Sequence, residues 1–559
     1  MAEAHDAVVV GAGHNGLVAA ILLARAGWNV AVLERNETPG GAARTAEVTL
    51  PGFKHDLYAT GPDSFVGSAF YREFKDDLGA HGLSLLRTEH AVASVFPDGS
   101  SLSVSTDARK TQAEISRLSP RDGDAWPELE AWFWRLAPHV LHTLSEPMPS
   151  LGTVRALVRA RKALGRSGPE QLAQLALQSC GDVTERWFER REVHALFGAW
   201  GMHLDLPPSM PGGAFFPLLK VFGGVRNGTN ICEGGISRMI DALVSLLRSA
   251  GGELVTNADV DRVLVSGSRA MGVTTADGRR FDASRAVIAG VTPAALVQRL
   301  LRDVPSIDDG RAAGYRFGPG TLMLHLALDR DVPWAAGEEL ARYAYVHVGR
   351  YADDMNLAYH EARAGLIPRH PTLVIGQPTA VDPSRAPEGH HVLWVEVRMV
   401  PSMIRGDVAR EITATAWDDA REDVADRALA ILEEHAPGVQ GAVIGRHVIS
   451  PLDLERANPN LVGGDNGSGS HQPMQNFLLR PLPGWSRYRT PIDNLYICGA
   501  ATWPGAGLGA ASGYLLGKAL TRRGRAGRRR AGAKLLRRVE VELAGIGHDD
   551  AVDRLGSLD

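Results

Sequence analysis

Three glycines near the start of the chain, Gly11, Gly13 and Gly16, stand in the order Gly-x-Gly-x-x-Gly, and an acid, Glu34, follows 23 positions after the first. That spacing suits capture of a dinucleotide. Gly11 permits a tight turn, Gly13 lets the backbone approach a pyrophosphate, and Gly16 lets the next helix pack close to the strand. Ala12 and Asn15 belong to the same turn, whose helix N-terminus offers free N–H groups to phosphate. Glu34, followed by Arg35, is placed to hold the ribose hydroxyls of an adenosine half. The elements needed to position these residues can be read on either side. Ala7 to Val10 is an apolar strand, Leu17 to Ala26 is helix-like, and Val30 to Leu33 is a second apolar strand. Strand, turn, helix, strand and acid are in register, which distinguishes a dinucleotide site from a glycine-rich turn of ordinary structure.

Three further segments belong with this unit. Pro39-Gly40-Gly41-Ala42-Ala43-Arg44 follows directly on the acid. Its small residues allow close approach, and Arg44 can supply charge to a phosphate. Near the far end, Asn494 to Cys498 reads as a buried strand. It runs into Gly499-Ala500-Ala501-Thr502-Trp503-Pro504-Gly505-Ala506-Gly507-Leu508-Gly509-Ala510, with a helix expected from Tyr514. The Gly505-x-Gly507-x-x-Ala510 within it is not a second nucleotide fingerprint, because Trp503-Pro504 separates it from the strand and no acid follows at the right distance. Midway, Gly234-Gly235-Ile236-Ser237 opens a helix from Arg238 to Ala250. Strands are expected at Val260, over Ala270 to Thr275 and over Phe281 to Ala289.

Together these segments resemble the phytoene-desaturase-like FAD-dependent oxidoreductases. That group takes in carotenoid desaturases and ketolases, retinol saturases and pyridine nucleotide-disulfide oxidoreductase domain proteins. Further carriers of the resemblance are Gly52-Phe53-Lys54-His55-Asp56, Ser119-Pro120-Arg121-Asp122, Glu233-Gly234-Gly235, Asn458 to Asp465, and Arg480-Pro481. The resemblance implies non-covalent FAD and a Rossmann-type α/β domain of amine-oxidase type. It also implies an inserted substrate domain of antiparallel sheet plus helices. By the same resemblance Gly40, Gly41, Ala42 and Arg44 run along the pyrophosphate to the flavin, and the strand at Val260 contacts the adenine through its backbone. Gly499, Ala500, Gly507, Leu508, Gly509 and Ala510 would then lie at the isoalloxazine, with the last helix N-terminus facing the ring. The chain departs from the pattern at Thr502-Trp503-Pro504-Gly505, where the ketolases and desaturases usually show His in place of Trp.

The FAD-binding domain is expected from residues 1–108, 226–310 and 480–521. A helical lid would occupy 109–225, the remainder of the substrate domain 311–479, and a basic then acidic tail 522–559. Strands are expected at Thr321 to Leu328, Tyr343 to Val348, Thr372 to Ile375 and Val392 to Val397, and an amphipathic helix within Ala414 to Glu434. His325 and Glu396 alternate with apolar neighbours, which suits either a substrate cavity or a satisfied structural group.

Composition agrees with a globular enzyme: 559 residues, 44% hydrophobic and 22% charged. A net charge of −4 carries no nucleic-acid signature. No apolar run reaches the roughly 18 residues of a membrane span, and no signal peptide precedes the first strand. Cys180, Cys232 and Cys498 lack metal or redox spacing and read as buried thiols of a cytoplasmic protein, and no metal cluster is expected. Val154 to Leu164 is a basic amphipathic segment that suits either peripheral membrane contact or a solvated lid helix. Arg522 to Arg538 is basic and suits a tail or lipid contact.

The expected reaction is hydride removal from a C–H bond of a lipophilic small molecule, isoprenoid or polyene-like, as dehydrogenase, desaturase or oxidase. Oxygen, a quinone or another carrier would accept the electrons. Candidates near the reacting atoms are Trp503, His471, Gln475, His55 and Tyr58. The alternatives are a flavin amine oxidase-like enzyme on a specialised metabolite, and a non-catalytic flavin-binding partner protein.

Overall fold

The computed structural model describes residues 3–304 and 309–522. The tail beyond Arg522, basic then acidic, lies outside the described residues.

The strand Glu3–Val10 sits inside a sheet. It pairs in parallel with Val30–Leu33 on one side and Arg280–Ala289 on the other, with Val9 opposite both Val32 and Ile288. Glu253–Val255 extends the sheet beyond Val30–Leu33, and Leu495–Ile497 lies parallel to Arg280–Ala289. The continuous Ala7-Val8-Val9-Val10 run is buried, as a parallel strand covered on both faces must be. The helix His14–Arg25 covers one face, with Leu17 to Ala24 all buried. A helix over 511–522 lies against it so closely that a Cβ on Gly513 would stand 2.0 Å from the Asn15 carbonyl oxygen. The Gly513 amide donates to Asn15 Oδ1 at 3.0 Å. The first and last described helices therefore meet at the glycine turn.

A second sheet runs in the order Val443–Ile449, Gly320–Leu328, His391–Val400, Thr372–Gly376, Tyr345–Val348, His90–Val95, Ser101–Ser105. Its pairs are antiparallel except Tyr345–Val348 with His90–Val95, which is parallel. The sheet is thus mixed rather than purely antiparallel. The hairpin His90–Ser105, counted with residues 1–108 in the sequence, hydrogen-bonds into this second sheet. Pairing across some 250 residues leaves no mark on the local pattern.

Strand alternation divides the two faces. Leu322, Leu324, Leu326, Val395 and Val397 pack on the helix Trp417–His435 through Trp417, Val424, Ala428 and Leu432. Met323 and Trp394 face the other way, into the core of the helical lid. That lid spans Ala108–Leu118 to Phe215–Asn227 and is centred on Trp126, whose ring lies 5.1 Å from Phe222 and 5.6 Å from Phe197. Buried Asp122 ties the lid together by accepting the amides of Glu189 and Arg190 at 2.9 Å each. No described helix is long and apolar enough to cross a membrane.

Candidate functional site

The glycine turn has the shape that its spacing predicts. Gly11 has φ +93°, a left-handed value that strains any side chain. A Cβ on Gly16 would lie 2.4 Å from the Gly11 carbonyl oxygen. Gly13 caps the helix with φ −71°, no side-chain ligand on the cap and no acid in the first turn. A Cβ on Gly13 would meet nothing within 4 Å. The space above the helix N-terminus is left for a group from outside the chain, and the backbone dipoles there favour an anion.

That space belongs to a cavity of about 360 Å³. Gly11, Gly13, Asn15 and Gly16 line it, with Glu34, Arg35, Gly40, Gly41, Ala42 and Val260. Gly499, Ala500, Gly507 and Leu508 complete its wall from the C-terminal segment. Ala12 is buried behind the turn. Its amide donates to Glu34 Oε2 at 2.9 Å, and its carbonyl accepts from Gly40 at 3.0 Å. Glu34 Oε1 accepts from the Asn36 amide at 3.0 Å. The acid thus braces the turn while facing the cavity. Arg44 lies beside the Tyr58 hydroxyl rather than in the wall. Asn460 of the Asn-Pro-Asn motif bridges the Thr292 amide and the Gly290 carbonyl at 3.0 Å each, holding another edge of the cavity.

A second cavity of about 1110 Å³ opens beside the first. Asp63, Trp200, Leu204, Phe216, Lys220 and Ala506 line both, so the two cavities adjoin at a shared wall. Gly509 and Ala510 line the larger one. Trp503 lies in its wall, fully buried. Its indole N–H donates to the Glu146 carbonyl at 3.0 Å, and its ring is 5.8 Å from Phe477.

The other four candidates are scattered. Tyr58 lines the smaller cavity, where burial raises its phenol pKa. His471 lines the larger cavity, but its Nε2 accepts the Ala506 amide at 2.8 Å, which leaves that lone pair committed. Burial and the nearby Arg480 charge keep this ring neutral, well below the usual range. Gln475 lines neither cavity. Its amide bridges the backbone of Arg316 at 2.7 and 2.8 Å. His55 lies outside both walls as well. It is buried 5.4 Å from His325 and bonded to Thr49 at 2.7 Å, with its pKa lowered to about 3 by burial and by Arg385. His325 is therefore a structural neighbour of His55. Glu396, its counterpart in the alternating pattern, does face the smaller cavity.

Apart from Glu396, sequence reasoning missed the polar cluster at the junction. Lys220 Nζ lies 3.7 Å from Asp63 and 4.7 Å from the centre of the Trp200 ring. His203 stacks on Trp200 at 4.9 Å, contacts His347 at 3.2 Å between Nε2 atoms, and lies 3.8 Å from Glu396. Glu396 pairs with Arg398 at 3.1 Å and accepts from Asn466 at 2.7 Å. Burial outweighs Arg398 and raises the Glu396 pKa, while burial and the neighbouring cations hold His203 far below its usual value. His203 and Lys220 sit in or beside lid helices with no distinguishing local pattern.

All three cysteines are buried and free. Burial pushes the Cys180 and Cys498 thiols up to about 12, away from reactivity. Among the described residues no cluster suited to a metal ion occurs.

Comparison with known proteins gives the same assignment. Residues 16–511 match the family model described as flavin containing amine oxidoreductase. The chain is 30% identical over 547 residues to pyridine nucleotide-disulfide oxidoreductase domain-containing protein 2 of Rattus norvegicus, covering 91% of this chain and 92% of the relative. It is 27% identical over 519 residues to phytoene dehydrogenase of Streptomyces griseus, covering 90% of this chain and 92% of the relative. Among solved structures, cyclohexylamine oxidase of Brevibacterium oxydans shares the fold, with a TM-score of 0.58 at 15% identity over 93% of this chain and 99% of that one.

Proposed function

The chain belongs to the flavin-containing amine oxidoreductase family and is an FAD-dependent oxidoreductase; from that premise we propose that its substrate is a lipophilic small molecule from which a C–H hydride is removed. The observation that carries the proposal is the larger cavity. At about 1110 Å³ it is some three times the volume of the cofactor cavity that it adjoins. Its walls are lid side chains such as Leu144, Leu175, Phe215 and Leu219, together with Trp503. Cavities of this size and lining suit apolar ligands.

When bound, FAD supplies the hydride acceptor. The residues that would hold it are the glycine turn at the phosphates, Glu34 at the ribose, Val260 at the adenine, and Gly499 to Leu508 at the ring. Glu396, whose pKa burial raises, is a carboxyl group that faces the smaller cavity near the junction. His471 positions Ala506 through its ring nitrogen. Oxygen, a quinone or another carrier is proposed as the electron acceptor.

A surface suited to membrane contact supports the same proposal. The helix Leu151–Leu164 exposes Leu151, Val154, Leu157 and Val158. It carries Arg155, Arg159, Arg161 and Lys162 with no acid. Met474, Phe477 and Leu478 are also exposed, and Phe477 borders the larger cavity. Apolar side chains beside unopposed cations suit an anionic bilayer surface, from which a lipophilic substrate could enter.

An amine substrate is the second reading, favoured by Glu396 and by the aromatic walls Trp200, Trp394 and Tyr345. Anaerobic titration of the flavoprotein with a polyene, an amine and NADPH separates the two. Bleaching of the flavin by the polyene supports the proposal, and bleaching by the amine alone refutes it.

A further inference from the structure

The larger cavity is apolar in its walls but positively charged at its mouth. Arg72 of the helix Ala69–Ala80, Arg87 of the strand Leu85–Thr88, and Arg226 and Lys220 of the helix Phe215–Asn227 all line it. Asp63 is the single carboxylate among the described residues of that lining. It is already engaged: it accepts the amide and side chain of Asn230 at 3.0 Å each and faces Lys220 at 3.7 Å.

The three arginines are exposed, and none has a described carboxylate partner within 4 Å. Arg72 donates to the Gly67 carbonyl at 2.7 Å. Arg226 lies 5.0 Å over the Trp134 ring, and Glu130 acts on it only at longer range. Lys220 is different, being only 22% exposed in its side chain and placed at the junction with the cofactor cavity. The wall therefore carries a surplus of three positive charges, in a chain whose net charge is −4. Bulk composition does not account for that concentration.

We infer that the cavity takes an amphiphile bearing one anionic group, a carboxylate or a phosphate, with the anion held by Arg72, Arg87 and Arg226 at the mouth. The hydrocarbon part then lies along Phe215, Leu219 and Trp503 and reaches the junction. The inference rests on the reading of this cavity as the substrate site. A guanidinium offers a planar fork of donors that matches either oxyanion, and free guanidinium groups make that contact without breaking an existing ion pair. A neutral hydrocarbon gains nothing from these charges. An ammonium ion entering the same mouth is repelled by them, which sets this substrate class apart from amines.

The test uses the full-length flavoprotein and four sixteen-carbon probes below their micelle concentrations: palmitate, hexadecyl phosphate, hexadecanol and hexadecylamine. Binding is followed by fluorescence of the cavity tryptophans Trp134, Trp200 and Trp503. One or both anions should bind at least about tenfold tighter than hexadecanol, with the amine weakest, and added salt should shrink the difference. The ratio of the two anions identifies carboxylate or phosphate. The double variant R87A/R226A should abolish the advantage of the anion while hexadecanol binding stays unchanged, and R87K/R226K should restore part of it. The visible flavin spectrum checks that each variant is folded. If hexadecanol binds as tightly as both anions, or if the double variant leaves the ratio intact, the inference is overturned while the lipophilic site stands. If none of the four binds, the lipophilic reading falls with it.

Discussion

Two alanine substitutions three residues apart should fail in different ways. At Gly13 the backbone has φ −71°, an ordinary value for any residue, and an added methyl meets nothing within 4 Å. Replacing glycine by alanine stiffens the unfolded chain, a gain of about 0.4–1 kcal/mol, and alanine is a poorer helix cap than glycine by a similar amount. The stability of Gly13→Ala apoprotein should therefore lie within about 0.5 kcal/mol of the parent. The open space above Gly13 is the proposed seat of the cofactor phosphates. A methyl there meets an occupied volume, and overpacking of that kind costs about 1–3 kcal/mol. FAD affinity should fall by about 5- to 150-fold. At Gly16 the same methyl would stand 2.4 Å from the Gly11 carbonyl and 3.3 Å from Val9. The Gly11 carbonyl is backbone and cannot swing aside, so Gly16→Ala should lose about 1–3 kcal/mol in the apoprotein itself. The assays are urea unfolding of the apoproteins and flavin-fluorescence titration of their reconstitution. If Gly13→Ala binds FAD as tightly as the parent, or if both variants lose stability alike, the phosphates do not lie over Gly13.

Three other outcomes are expected. Asp56 and Arg385 form a buried pair at 3.0 Å, and Asp56 also accepts Thr45, Thr60 and the Ile236 amide. Asp56→Asn should cost about 3–5 kcal/mol in urea unfolding, because it leaves a buried guanidinium unpaired. Asp205 is buried beside Asp465, and its pKa is raised to about 7 by burial and then by that neighbour. A raised carboxyl pKa stabilises the fold fully below the unfolded value and loses that contribution as pH rises through about 7. Asp205→Asn, at a left-handed position (φ +54°) that asparagine tolerates, should therefore stabilise the protein at pH 8 by up to about 4 kcal/mol and by much less near pH 5. A constant effect across that range would refute the burial argument. The pair L157D/V158D should abolish sedimentation with phosphatidylserine vesicles while leaving the flavin spectrum unchanged, and retained binding would remove this helix from any membrane contact.

What the sequence made legible is local. The turn at Gly11 to Gly16 is set by contacts within six residues and by the strand before it, so spacing alone describes it. The strand Gly320–Leu328 shows its two faces through alternation, and Glu396 could be singled out on the same basis. Long-range pairing is different. The hairpin His90–Ser105 is not singled out in the sequence, and only the fold brings Val346 beside Ala93. Side-chain roles were less legible still. His471 lines the larger cavity and Gln475 lines neither, and their nitrogen and amide atoms are consumed by Ala506 and Arg316. Proximity to a flavin does not by itself leave a polar group free for chemistry. Lys220 and His203, which do face the junction, sit at helical positions that look like any others until Trp200 and Asp63 are placed around them. The same holds for charge. Arg72, Arg87 and Arg226 are separated by up to 154 positions, and their surplus exists only once three elements converge on one opening. The cofactor is encoded in a contiguous motif because a pyrophosphate is small and bound by backbone. The substrate is encoded in a surface assembled from distant segments, and its chemistry becomes readable only when that surface is closed.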